Sequence, residues 1–296
     1  MSEFKCLQAP PLLSRSHLIS PAPSSFSQSL SSMKIACCQL EPAWGDRQSN
    51  MAKADQLLLR YGAGDIDILV LPEMAFTGYV FKSIEEVDPY LEDTTTGPSV
   101  TWAKHQAHGD RIVRYNSQCF VNRKGELIKT YRKAFLYETD ELWASEGPGF
   151  DTIDIPELGK VGLGICMDIN PYQFKADFHD FEYGHYHSDA KTKILLCSMA
   201  WLKSKGKDGS SNGDTVMDTI NYWALRLLPL MRQSAADGDS DETEHHTLFV
   251  ACNRIGTERG VTYAGGSSVL DLSHSEKAQL LGHLKADEEG VLVIDT

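Results

Sequence analysis

Val161-Gly162-Leu163-Gly164-Ile165-Cys166-Met167-Asp168 is an apolar run that stops at a thiol and then turns polar. A run of this length and composition reads as a buried strand, and its end is a place where a side chain can be presented at the rim of a sheet. Taken alone, such a cysteine is more often core filler, because free Cys behaves as a small hydrophobe. It becomes chemistry only when a base and a donor for a developing oxyanion converge on it. Two upstream residues offer these: Glu73, which closes Leu69-Val70-Leu71-Pro72-Glu73, and Lys133 in Tyr131-Arg132-Lys133.

A carboxylate directly after a run of Ile, Leu and Val is costly to bury without a partner, and burial raises its pKa toward the working pH. The same environment makes it a base that can take a thiol proton and return it to a leaving amine. Lys133 would hold the thiolate and the oxyanion by charge, with the backbone N–H after Cys166 as second donor. This set supports acyl transfer from a C–N bond through a thioester.

The order Glu, Lys, Cys resembles the carbon-nitrogen hydrolase (nitrilase) superfamily from Met33 to the C-terminus. Leu71-Pro72-Glu73-Met74-Ala75-Phe76-Thr77-Gly78-Tyr79, Tyr131 to Glu141 and Gly164 to Tyr172 narrow it to the fungal protein N-terminal asparagine amidohydrolases. Ser198-Met199-Ala200-Trp201-Leu202 and Asn253-Arg254-Ile255-Gly256-Thr257 are similar to that family too. The resemblance implies an α/β fold, a four-layer α-β-β-α sandwich, with Glu73 as base, Lys133 as thiolate and oxyanion partner and Cys166 as nucleophile. It also suggests Glu141, eight positions after the lysine, as a second carboxylate, with Glu138 as the alternative. It implies no cofactor and no metal.

The activity implied is deamidation of N-terminal Asn, or Gln, of proteins or peptides, feeding N-terminus-dependent degradation. Two other readings stand beside it: a catalytically silent binding protein of the same fold, and an amidase for small free amides or ureido acids. A site that holds a free α-ammonium calls for a carboxylate near the thiol. Asp168 is one candidate, and capping of a helix beginning near Pro171 is its alternative. Tyr79 and Trp201 could wall the pocket or belong to the core.

The chain has 296 residues, 42% of them hydrophobic, which suffices for one large core or two small ones. A net charge of −13 and no basic stripe argue against nonspecific nucleic-acid binding. No apolar stretch is long enough to span a bilayer. Most of the seven cysteines, Cys37, Cys38, Cys197 and Cys252 among them, lie in apolar runs, as reduced thiols of a cytosolic protein do. No cysteine pair has zinc spacing, and His179, His185 and His187 read as a solvated helix end. The acidic run 236–244 lacks the glycine and closing Glu of a calcium loop, and 203–215 reads as a mobile loop near the pocket mouth. Nothing in the sequence specifies the oligomeric state.

Residues 1–32, with ten serines and four prolines, read as a disordered leader before a single domain at 33–296. Lys5 and Arg15 against Glu3 leave open a mitochondrial presequence or an untranslated leader. From Met33 the pattern alternates between strands and helices. Helices are expected at 50–59, 98–108 and 214–228. Strands are expected at 34–40, 66–71, 115–121, 127–131, near Ile153, and at 161–165, 194–198, 248–252, 267–270 and 291–294. Asn122-Arg123-Lys124-Gly125 marks a hairpin between 115–121 and 127–131. Only 60 positions separate Glu73 from Lys133, and the family usually places another strand there. Ile112 and Val113 are all that remain of it, so one interior strand is expected to be missing.

Overall fold

The computed structural model describes residues 18–21, 33–92, 97, 103–108, 111–203, 216–231, 247–272 and 277–296. The strands are β1 (Ile19–Pro21), β2 (Lys34–Gln39), β3 (Ile68–Val70), β4 (Ala103–His108), β5 (Arg111–Val121), β6 (Leu127–Arg132), β7 (Asp151–Ile155) and β8 (Gly159–Ile165). They continue as β9 (Ile194–Ser198), β10 (Leu248–Cys252), β11 (Thr257–Glu258), β12 (Val261–Thr262), β13 (Ser268–Asp271), β14 (Ala278–His283) and β15 (Gly290–Asp295). The helices are α1 (Arg47–Leu58), α2 (Ile84–Val87), α3 (Glu182–Asp189) and α4 (Val216–Arg226).

Seven strands form one sheet in the order β1-β14-β13-β10-β9-β8-β7, with β8, β9 and β10 parallel to one another. Parallel strands covered on both faces read as continuous apolar runs, which is why Val161–Ile165, Ile194–Ser198 and Leu248–Cys252 were legible. The facing layer holds β15-β2-β3. Along β2 the pleat sends Ile35 and Cys37 into the core shared with the large sheet, and Ala36 and Cys38 into a second core that includes Ala54 of α1. Trp223 and Ala224 of α4 join the first core. This is the α-β-β-α layering that the resemblance implies. Asp46 starts α1 by accepting the Ser49 N–H at 3.1 Å.

Gly162 and Gly164 let α3 approach β8. A Cβ at Gly162 would collide with His187, and one at Gly164 with Tyr183 Oη and Cys197 Sγ. The strand that ends in Cys166 is thus pinned from the side away from the facing layer. His187 is buried and shares a 3.0 Å hydrogen bond with Thr192 Oγ1, while His179 is exposed beside Asp177.

Three expectations change. Leu18 packs against the first core, and β1 pairs in parallel with β14, so part of the 1–32 segment is ordered sheet edge. The rest of that segment lies outside the described residues, as do the loop 204–215 and the acidic run 236–244. Ala103–His108, expected as helix, is the strand β4, paired antiparallel with β5. A helix of the roughly eleven residues expected at 98–108 is marginal on its own, whereas the hairpin gives each of Ala103–His108 a partner on β5. In place of the helix expected to begin near Pro171 there are two 3₁₀ turns, Cys166–Ile169 and Tyr172–Phe174.

The interval between Glu73 and Lys133 therefore does contain a strand, but β4 pairs with β5 alone. No strand among the described residues lies between β3 and β5, and the small layer divides into β15-β2-β3 and β4-β5-β6. A cavity of about 970 Å³ occupies the division, lined by Ile68–Val70 on one side, Cys119–Val121 on the other and Leu163, Ile194 and Leu196 of the large sheet beneath. Hydrogen bonds from the large sheet tie the two halves together: Ser198 Oγ donates to Leu71 O at 2.9 Å, and Gln118 Nε2 of β5 donates to Ser198 Oγ at 3.1 Å and Leu196 O at 3.2 Å.

Candidate active site

Cys166 directly follows β8 with φ of 39°, a left-handed conformation that an L-residue with a side chain adopts only under constraint. Asp168 supplies that constraint. Its carboxylate accepts the Ile165 N–H at 2.8 Å, the Ala134 and Phe135 N–H groups at 3.0 and 2.8 Å, and the Tyr131 hydroxyl at 2.9 Å. The elbow that carries the thiol is thereby tied to the segment that carries Lys133. Burial pushes Asp168 up to about 6, against these donors. Four donors already occupy this carboxylate, so Asp168 is a brace rather than a free partner for a substrate ammonium.

Glu73 follows β3 on a turn whose next residue, Met74, has φ of 49°. Its backbone N–H donates to Met199 O at 3.2 Å. Downstream, Glu258 accepts the Tyr79 and Val80 N–H groups at 2.8 and 2.5 Å and is itself paired with Arg254 at 2.6 Å. Asn253 fixes the segment after β9, accepting the Trp201 N–H at 2.8 Å. The Asn253-Arg254 string is thus a clamp on the loops around Cys166.

Lys133, immediately after β6, is fully buried. Its Nζ donates to Glu73 Oε1 at 2.7 Å and to Asp140 Oδ2 at 2.5 Å. Asn116 of β5 completes a ring, donating from Nδ2 to Glu73 Oε1 at 2.6 Å and to Asp140 Oδ1 at 3.2 Å. Glu73 Oε2 has no hydrogen-bond partner. Burial pushes Glu73 up to about 7, with Lys133 pulling the other way. Burial alone would lower Lys133, but Asp140 and Glu73 outweigh it and raise the ammonium above the usual lysine range. Burial likewise raises the Cys166 thiol well above its ordinary value and Glu73 adds to this, while Lys133 and a hydrogen bond from the Ala200 backbone oppose it. At rest the thiol is neutral beside a carboxylate with one free oxygen.

The structure brings Glu73, Lys133 and Cys166 together and leaves Glu141 out. Glu141 is exposed, and the second carboxylate on the lysine is Asp140. Both sit in the 3₁₀ turn Asp140–Leu142, which buries Asp140 and, three residues on, Trp143, and turns Glu141 and Leu142 to solvent. Glu138 is half-buried. Tyr79 is inside the site, with its hydroxyl 3.3 Å from Asp140 Oδ2 and its ring 5.7 Å from Lys133 Nζ. Trp201 packs against Tyr222 at a tilt and edge-on against Trp223, and belongs to the core between β9 and α4. Asn116 and Asp140 were not singled out in the sequence. Asp140 carried no signal that separates it from the adjacent Glu141, and Asn116 had none beyond being an amide within an otherwise strand-like segment.

Residues 34–173, a span that includes Glu73, Lys133 and Cys166, match the family model described as carbon-nitrogen hydrolase. A protein N-terminal amidase of Schizosaccharomyces pombe is 34% identical over 293 residues, covering 88% of this chain and 98% of the relative. One of Saccharomyces cerevisiae is 32% identical over 210 residues, or 59% of this chain and 46% of the relative. A crystal structure of an N-terminal amidase with an Asn-Glu-Ala peptide superposes with a TM-score of 0.72 at 22% identity, covering 90% of this chain and 98% of that one, a likeness of fold.

Proposed function

This chain belongs to the carbon-nitrogen hydrolase family, and we propose that it is a thiol amidohydrolase that converts N-terminal Asn or Gln of peptides and proteins to the acid with release of ammonia. The chemistry rests on one observation: a buried carboxylate with a free oxygen, held by a buried ammonium, both within electrostatic reach of a thiol on a strained strand end. The substrate class rests on the S. pombe relative, whose length this chain spans almost entirely.

Glu73 Oε2 takes the Cys166 proton as sulfur attacks the side-chain carboxamide carbon. Negative charge moves onto the carbonyl oxygen, facing Lys133 Nζ and the Met167 N–H. The C–N bond breaks as Glu73 returns the proton to the departing nitrogen, leaving ammonia and a thioester. Water then attacks the thioester carbon with Glu73 taking its proton, the C–S bond breaks as the acid forms, and Glu73 returns that proton to the departing sulfur. Lys133 stays charged throughout. Tyr79 packs on its ammonium and keeps water from it.

A peptide panel tests this. Peptides with free N-terminal Asn or Gln release ammonia, and the acetylated forms do not. Equal turnover of acetylated peptides or of small free amides would replace the N-terminal reading with a general amidase.

A further inference from the structure

Asn116 is the one neutral member of the ring around Lys133, and it touches both carboxylates. Its position is fixed by the backbone. Asn116 lies in β5, and its carbonyl accepts the Lys133 N–H at 2.9 Å, so the amide and the lysine are paired across the sheet before their side chains meet. Its side chain is buried, and its Oδ1 has no hydrogen-bond partner. Both hydrogens of Nδ2 are used, one on each acid. Two carboxylates and one ammonium leave the ring with a net negative charge, and an amide bridges the acids without altering that count.

We propose that Asn116 is a positioning residue for the reaction, which saturates Glu73 Oε1 together with Lys133 so that Oε2 remains the oxygen that accepts the thiol proton. The proposal rests on the amidohydrolase reading and deepens it. With the amide removed, Oε1 has a single donor, the carboxylate is free to rotate, and either oxygen can turn to the ammonium. A lost donor also favours the protonated acid. The charged and titratable groups around Glu73 are Lys133 after β6, Asp140 on its 3₁₀ turn, Tyr79 on the loop after β3, Cys166 after β8 and Tyr263 after β12. Replacing a neutral amide changes the charge of none of these groups, so a change in the titration of Glu73 reports the hydrogen bonds lost from the two acids.

The test is made on Asn116→Ala and Asn116→Ser in the full chain, the serine retaining one donor. Two readouts are taken across pH 5 to 9: kcat/KM on an Asn-initiated peptide, and the rate at which iodoacetamide alkylates Cys166, followed by peptide mapping. The alkylation needs no substrate. The expected result is an acid limb displaced to higher pH by about half to one unit in the alanine variant and by less in the serine variant, in both readouts. KM should stay within about twofold of the native chain, because the amide lies behind Glu73 rather than against substrate. An undisplaced acid limb in the alkylation profile, whatever the loss of rate, overturns the proposal. A displaced alkylation profile in a chain that deamidates no peptide supports the positioning role and removes only the substrate reading. Should Asn116→Ala fail to fold, the serine variant decides by the same criterion.

Discussion

Filling the division between β3 and β5 should stabilise this chain. The perturbation is to replace the connection between His108 and Arg111 with a longer one that carries a six-residue apolar strand able to lie between the two edges. The structure sets the size of the effect. Leu69 on β3 is 40% exposed, Val121 on β5 is 40% exposed and Ile128 on β6 is 45% exposed, and all three line the cavity. Fully burying a side chain of this kind is worth about 1.5–3 kcal/mol, so covering the exposed two-fifths of all three contributes about 2–4 kcal/mol. Ordering the added strand costs about 1–2 kcal/mol per residue. Its ladder hydrogen bonds, at about 0.5–1.5 kcal/mol each, and its own inward side chains offset that. With an m-value of about 1–3 kcal/mol/M, the urea midpoint should rise by about 1 M. Equilibrium unfolding followed by fluorescence and circular dichroism measures it. Coincident midpoints for the two chains would refute the reasoning, since they would mean that the ties through Ser198 already compensate fully for the open edges.

The other expectations concern the site. Cys166→Ala abolishes ammonia release from an Asn-initiated peptide while binding measured by calorimetry persists, and retained turnover would exclude Cys166 as nucleophile. Glu73→Gln lowers kcat by about two to four orders of magnitude, and in the native chain kcat/KM rises with pH through about 7, where Glu73 ionises. Because the folded pKa of Glu73 lies above its ordinary value, its contribution to stability is present at low pH and is lost as pH rises through about 7. Denaturant midpoints should therefore shift in favour of the Gln variant over that window. Asp140→Asn, which loosens the lysine, lowers kcat by about a hundredfold, whereas Glu141→Gln changes it by less than about twofold. Equal losses at both positions would remove the distinction drawn from burial.

What could be read in advance follows from how each residue is held. Cys166, Glu73 and Lys133 each lie at or just beyond the end of a strand, so the sequence shows a chemical group where a periodic pattern stops. Asp140 and Glu141 differ only in their phase on a single 3₁₀ turn, and no periodicity of one turn separates adjacent acids. Asn116 is functional through its partners, which come from the segments after β3 and β6 and from the 3₁₀ turn at Asp140, far from β5 or without periodic relation to it. Ala103–His108 has no apolar alternation, so its strand state comes from the pairing with β5 and not from its own composition. β14 was missed because Gln279–Gly282 are only half-buried at the side of the sheet where β1 closes it.

The charge count around Cys166 constrains how the proton moves. Lys133 contributes one positive charge and Glu73 and Asp140 two negative ones, all buried and both acids within hydrogen-bond distance of the ammonium. Releasing the thiol proton to solvent would leave a second net negative charge in a site already carrying one, which is why burial and Glu73 both hold the thiol neutral. Passing the proton to Glu73 Oε2 leaves the count unchanged and only moves charge from carboxylate to sulfur. Attack on the carboxamide then moves it again, from sulfur to the carbonyl oxygen, toward the ammonium. Each step shifts one negative charge among positions around Lys133, and none exports charge from the buried site. The free oxygen of Glu73 is what allows this, and the two donors on its other oxygen, Lys133 and Asn116, are what keep it free.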